Sequence, residues 1–118
     1  MSDTSKEMVR IIYDALDEKL AMDIVILKID EISVIADYMV IANGDNPNQL
    51  QAMLDNVEMR MDEAGYTQKR TEGNKNSTWT LIDYADVIVN IFSKEDRLFY
   101  DIERIWRDGK SVQRDELD

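Results

Sequence analysis

The chain has 118 residues, 44 % hydrophobic and 33 % charged, which suits one domain with a real core and leaves no room for two. A formal net charge of −11 repels phosphate backbones, so nucleic-acid binding is not expected; it suits a basic protein partner instead. With no cysteine and no histidine there is no disulfide framework, no thiol nucleophile, and neither the usual general base nor the commonest metal ligand.

Thr4-Ser5-Lys6-Glu7 reads as a capping box opening a first helix. In it Met8, Ile12, Leu16 and Leu20 recur every four residues, with Ala15 alongside, as one apolar stripe. Charges spread from Asp3 to Lys19 exclude a signal-peptide core and argue against a mitochondrial presequence. No apolar run approaches the roughly 20 residues of a membrane span, so a cytoplasmic location is expected. Asp23 to Asp30 and Tyr38 to Ala42 are nearly continuous apolar runs rich in β-branched residues, as inner strands covered on both faces are. Asn46-Pro47 starts a helix, a capping side chain followed by proline at the first helical position. Leu50, Leu54, Val57 and Met61 form its stripe, and Gly65 is placed to end it.

Tyr66 to Thr71 is polar and basic, as an edge strand is. Trp79 to Asp83 and Asp86 to Phe92 are two further strands joined by a tight turn. Alternation puts Trp79, Leu81 and Asp83 on one face and Thr80, Ile82 and Tyr84 on the other. Tyr84, at the turn, is expected to keep part of its ring exposed. Ser93 with Asp96 caps a last helix whose stripe is Leu98, Ile102 and Ile105, with Trp106 just beyond. Order and spacing predict an α/β single-domain sandwich, a mixed sheet of about five strands flanked by helices. The domain spans 1–108, and 109–118, lacking any apolar period, is expected to be a flexible tail.

Catalytic chemistry has little to stand on. Asp37, Asp83 and Asp86 are the nearest thing to a carboxylate set, but they sit at turns, where aspartates cap backbone and stay solvated, and no metal is expected. Asn43-Gly44-Asp45 precedes a helix N-terminus, where phosphates often bind. A single glycine is a weak signal there, and Asp45 would repel an anion. No Walker sequence, nucleophile elbow or paired glycine-rich loop is present, so neither a cofactor nor an enzymatic activity is expected. Lys69, Arg70 and Lys75 lie close together, but Glu72 blunts them.

From Ser77 to Trp106 the chain resembles the ribosomal silencing factors, the RsfS or Iojap-like family. Trp79-Thr80-Leu81-Ile82-Asp83-Tyr84-Ala85-Asp86, followed by the strand ending at Phe92, is similar to the family's Trp, Leu, Asp-Tyr, small residue, Asp and apolar strand. Arg97, Phe99-Tyr100-Asp101, Glu103-Arg104 and Trp106 match its Arg-x-Phe-Tyr-x-x-Glu-x-x-Trp. Upstream, Lys19, Ala21, Asp23-Ile24 and Ile35 to Ala42 match its helix-to-strand junction and second strand, and Glu72-Gly73 its Glu-Gly. Three departures stand out. Ala85 replaces a usual glycine, which would cost about 1 kcal/mol if the turn needs a positive φ. Asn90 replaces a usual histidine, and Asn43 with Asp45 to Asn48 replaces a Thr-Gly-Thr-Ser stretch followed by a basic residue.

The resemblance implies a mixed sheet with helices on both sides, like a nucleotidyltransferase fold without its catalytic motif. It implies a translational repressor that binds the large ribosomal subunit through ribosomal protein L-fourteen. Held there, such a protein sterically blocks association with the small subunit under nutrient limitation, and homodimers are frequent. Trp79, Leu81, Asp83, Tyr84, Asp86, Arg97, Tyr100, Asp101 and Glu103 are the partner-facing residues it suggests. The competing expectations are a nucleotidyltransferase-like enzyme and a dimeric ribosome-assembly scaffold. The first lacks a Gly-Ser near a helix start and an Asp-x-Asp pair after it.

Overall fold

A computed structural model describes residues 3–73 and 78–118. Lys75 and Ser77, part of the basic cluster and of the family match, lie outside them. Helix α1 (Asp3–Glu18) leads into β1 (Met22–Lys28) and β2 (Tyr38–Gly44), then α2 (Pro47–Glu63). Strands β3 (Arg70–Glu72), β4 (Trp79–Asp83) and β5 (Val87–Ser93) follow, then α3 (Lys94–Tyr100), α4 (Ile102–Ile105), β6 (Lys110–Val112) and a closing 3-10 turn (Arg114–Leu117). The sheet has six strands in the order β3-β4-β5-β2-β1-β6. Among the described residues only β2 and β5 pair in parallel, and the other neighbours are antiparallel.

β2 is buried along its whole length and β5 along all but its last residue, because both sheet faces are covered there. α1 and α2 cover one face. Val9, Ile12 and Leu16 of α1 and Met53, Val57 and Met61 of α2 pack on Tyr38, Val40, Ala42, Val89 and Ile91. Asn56, buried in the α2 stripe, ties the two helices together by donating to the Ala15 carbonyl (2.7 Å) and to Glu18 (2.8 Å). The opposite face is thinner. Leu27, Met39, Ile41, Ile88 and Phe92 are roofed by Ile102 and Trp106, with Trp79 and Leu81 at the margin.

The start of α2 follows its sequence signals. Asn46 accepts from the Gln49 amide (2.8 Å) with Pro47 in the first turn, and Gly65 sits past the end with φ +89°. Gln49 also joins the elements at this corner, donating to the carbonyls of Lys19 and Leu20. That occupies the strand-to-helix turn with the chain's own groups.

Five expectations need correction. α1 already runs at Asp3, so Thr4 lies inside the helix and does not cap it. Ser5 instead donates to Asp37 across the fold (2.7 Å). Leu20 lies beyond the end of α1 with φ +61°, leaves the stripe and is exposed. β1 ends at Lys28 rather than Asp30.

The last helix is two pieces, because Asp101 adopts the left-handed conformation (φ 47°, ψ 49°) and breaks it. Of its expected stripe only Ile102 is buried. Finally, residues 110–112 form a sixth strand on β1 instead of fraying. Gly109 permits it, since a Cβ there would meet the Lys28 carbonyl and Ile29 at about 3 Å. Beyond that strand Leu117 is buried in the main core, and Arg114 grips Asp14 through two contacts of 2.9 and 3.0 Å.

The turn between β4 and β5 does need a positive φ. Ala85 has φ +72°, and Asp86 N–H donates to the Tyr84 carbonyl (2.9 Å), a γ-turn of the strained hand. Asp83 braces it by accepting from the Ala85 amide (2.8 Å). An alanine here is strained where glycine is not, although glycine loses more entropy on folding. Ala85→Gly is therefore expected to stabilise the protein by about 0.5–1 kcal/mol. In urea titration that is a higher midpoint with an unchanged slope; a lower midpoint would contradict it.

Candidate protein-docking surface

Alternation along β4 holds as the sequence predicts. Trp79, Leu81 and Asp83 are half-buried on the thinly covered face, and Thr80 and Ile82 are buried toward α1 and α2. Trp79 is the organising side chain. Its ring stacks on Phe92 (centroids 4.9 Å, 28°) and meets Tyr100 (4.7 Å, 43°). Its indole N–H donates to Asn90 Oδ1 (3.0 Å), and Asn90 Nδ2 rests on the Met39 sulfur (2.8 Å). Asn90 thus anchors this tryptophan.

Beyond Trp79 the surface turns apolar and open. Leu98, Phe99 and Ile105 are exposed, Phe99 to 79 %, and Tyr100 is half-exposed. Phe99 and Tyr100 meet edge to face at 5.1 Å. Three consecutive apolar residues on a helix spread over about 200° of its circumference, so one side of the sheet cannot bury all of them. That run, Leu98-Phe99-Tyr100, is readable in the sequence, whereas the expected stripe groups Leu98 and Ile105 with Ile102.

Arg97 does not face outward. It is a tenth exposed and bonds Glu103 (2.8 Å), Asn43 Oδ1 (2.8 Å) and the Asp23 carbonyl (2.7 Å). It fastens the α3–α4 arm to the start of β1, where Asp23 has φ +49° in a bulge, and to the end of β2. Tyr84 also departs from expectation. It is 5 % exposed, packed in the core between α2 and the sheet, because strand alternation carries through to the turn. Burial, then the charges of Glu58 and Asp62, push its phenol up to about 12.

The suggested residues therefore fall into separate groups. Trp79, Leu81, Tyr100, Asp101 and Glu103 gather around the α3–α4 arm. Asp83 and Asp86 sit at the far end of β4, about 13 Å from Trp79 at 3.3 Å per residue. Asp83 there pairs with Arg70 (3.5 Å), and Arg70 also with Glu72 (3.0 Å), which leaves the basic edge strand largely neutralised. Among the described residues no three carboxylates converge as a metal site, and no helix is long and apolar enough to cross a membrane.

Comparison with known proteins places the chain in a family. The chain matches the family described as "Ribosomal silencing factor during starvation" over residues 2–118. It is 36 % identical to the ribosomal silencing factor RsfS of Bacillus subtilis over 110 residues, covering 93 % of each chain. It is 34 % identical to that of Halalkalibacterium halodurans, covering 93 % of this chain and 94 % of the relative. Among solved structures, a Chromobacterium violaceum protein superposes with a TM-score of 0.84 at 28 % identity, covering 96 % of this chain and 92 % of that one.

Proposed function

The chain belongs to the ribosomal silencing factor family, whose role is regulatory and ribosome-associated; on that premise we propose that it binds the large ribosomal subunit and keeps the small subunit from joining. The partner contact is ribosomal protein L-fourteen, and the docking surface is the α3–α4 arm with the β4 margin beneath it. The observation that carries this reading is the exposed apolar cluster of Leu98, Phe99, Tyr100 and Ile105 beside Trp79. A rigid aromatic group inside a polar surround is what a protein–protein hot spot is made of. Asp101 flanks it together with Arg104 and Arg107, and what favours encounter with a basic partner is the net charge of the whole chain, −11.

The action is steric, with no covalent step. A bound protein that covers the face where the subunits meet lowers joining by mass action. Excess protein added to separated subunits is expected to shift sedimentation profiles away from joined ribosomes, with both subunits and any nucleotide left chemically intact. Unchanged joining with a folded, monodisperse preparation would overturn the proposal. Turnover of a nucleotide that disappears with Asp83→Asn or Asp86→Asn would favour the enzyme reading instead.

A further inference from the structure

The cleft beside the exposed apolar cluster carries charge of the opposite sign to the chain as a whole. Arg104 and Arg107 line it with a single carboxylate, Asp101, next to Phe99 and Tyr100. Both arginines are exposed. Elsewhere Arg60, Arg70, Arg97 and Arg114 each hold a carboxylate, at 3.1, 3.0, 2.8 and 2.9 Å. Neither Arg104 nor Arg107 makes an ion pair or a side-chain hydrogen bond among the described residues. Acidic residues outnumber basic ones 25 to 14, so carboxylates are plentiful, yet those nearby are turned elsewhere. Glu103 is held by Arg97 (2.8 Å), and Asp108 lines a separate cleft with Lys28 and Lys110.

The net charge of −11 is spread over a body of 35 × 32 × 26 Å, whereas at physiological salt charges are screened beyond about 8 Å. Distant carboxylates steer an approach, but a group seated in this cleft feels mainly Arg104, Arg107 and Asp101. Each guanidinium offers five N–H donors in a planar fork that matches the oxygens of a phosphate. Two long side chains on one cleft can converge on one anion, and such charge-assisted bonds are the strong ones. Asp101 offsets one of the two positive charges, which suits a single phosphate and not a tract of them.

A basic protein is what the whole chain attracts, and against a basic protein alone two free arginines are misplaced. They call for an anion beside it. On a large ribosomal subunit the anion that adjoins the embedded proteins is the phosphate backbone of the RNA. On the reading of the chain as a large-subunit binder, we infer that the docking surface is composite. The apolar cluster meets the ribosomal protein, and Arg104 and Arg107 clasp a backbone phosphate of the adjoining ribosomal RNA. A phosphate contact fixes position and carries no sequence information. One such contact adds to an interface the protein partner already holds and does not retain free RNA by itself, in keeping with the acidity of the chain.

The test is binding of the full chain to purified large subunits over a range of potassium chloride, with hydroxyl-radical footprinting of the subunit RNA at saturating protein. Bound wild type is expected to protect a short run of RNA backbone. Arg104→Gln with Arg107→Gln, both exposed and unpaired, is expected to weaken binding about tenfold at about 0.1 M salt and to flatten the logarithmic salt slope by about one. Raised until it saturates the subunit again, this variant should leave that run unprotected. Arg104→Lys with Arg107→Lys keeps the charge without the fork, and is expected to restore the slope while regaining only part of the affinity. Weaker binding by the glutamine variant with the RNA still protected assigns the arginines to acidic side chains of the protein partner and overturns the phosphate contact. Full affinity in that variant, or no protected RNA under bound wild type, overturns it too, and leaves the large-subunit reading standing. Wild-type protein that does not bind large subunits at all overturns both.

Discussion

Replacing Phe99 with alanine is expected to weaken binding to large ribosomal subunits by about 2 kcal/mol or more, roughly 30-fold, with almost no change in melting temperature. The ring is 79 % exposed and touches its own chain mainly through Tyr100. The folded protein therefore loses little when it goes. In a docked complex the same ring is desolvated at the centre of the apolar cluster, where truncation costs most. Neutralising a flanking carboxylate, as in Asp101→Asn, should cost less and matter chiefly at low salt, because a rim charge steers encounter more than it holds the complex. Equilibrium binding and thermal unfolding measured on one preparation of Phe99→Ala decide the matter. Full affinity with an unchanged melting temperature would remove the α3–α4 cluster from the interface.

Arg97→Leu is expected to do the reverse, a loss of stability of about 3 kcal/mol. Leucine fills much of the space, but it leaves the Asp23 carbonyl, Asn43 Oδ1 and Glu103 without the partner that now serves them. Asn43 is already short of one bond, since its buried Nδ2 has no partner among the described residues. Removing Arg97 would leave the whole amide unsatisfied inside the protein, and unpaired buried groups are where hydrogen-bond deletions cost most. For a chain of this size that corresponds to a fall of about 10 °C in melting temperature. The loss should begin locally, with faster amide exchange in α3 and α4 than in β2 and β5. A shift of only 1–2 °C, with exchange in the arm unchanged, would mean that Arg97 holds nothing together.

These two residues show what a sequence discloses and what it withholds. The helix from Asn46-Pro47 to Gly65 and the strands at Tyr38, Trp79 and Val87 carry local signals, either caps or periodicity, and they form where those signals stand. The departure at Ala85 raises a positive φ only as a condition, and the turn meets it with φ +72°. β6 was not legible, because three residues carry no period and their place on β1 depends on Gly109 fitting against a strand 80 positions upstream. The family resemblance puts Arg97 among the partner-facing residues, whereas the structure turns it inward. Its acceptors are two residues of distant strands and a glutamate beyond a helix break, and nothing local announces that convergence. Tyr84 read as half-exposed because it adjoins a turn, but pleat alternation, which buries Ile82, buries it too. The apolar residues of the last helix were visible as a stripe. The break at Asp101 that turns Leu98, Phe99 and Ile105 outward was not.

The central claim is that this protein occupies the joining face of the large subunit. The most direct measurement is competition on a gradient: large subunits are saturated with the protein, small subunits are added in increasing amount, and each fraction is assayed for all three components. The account predicts that the protein sediments with free large subunits, is absent from joined ribosomes, and is displaced only as small subunits come into excess. Protein found at full occupancy on joined ribosomes would contradict it.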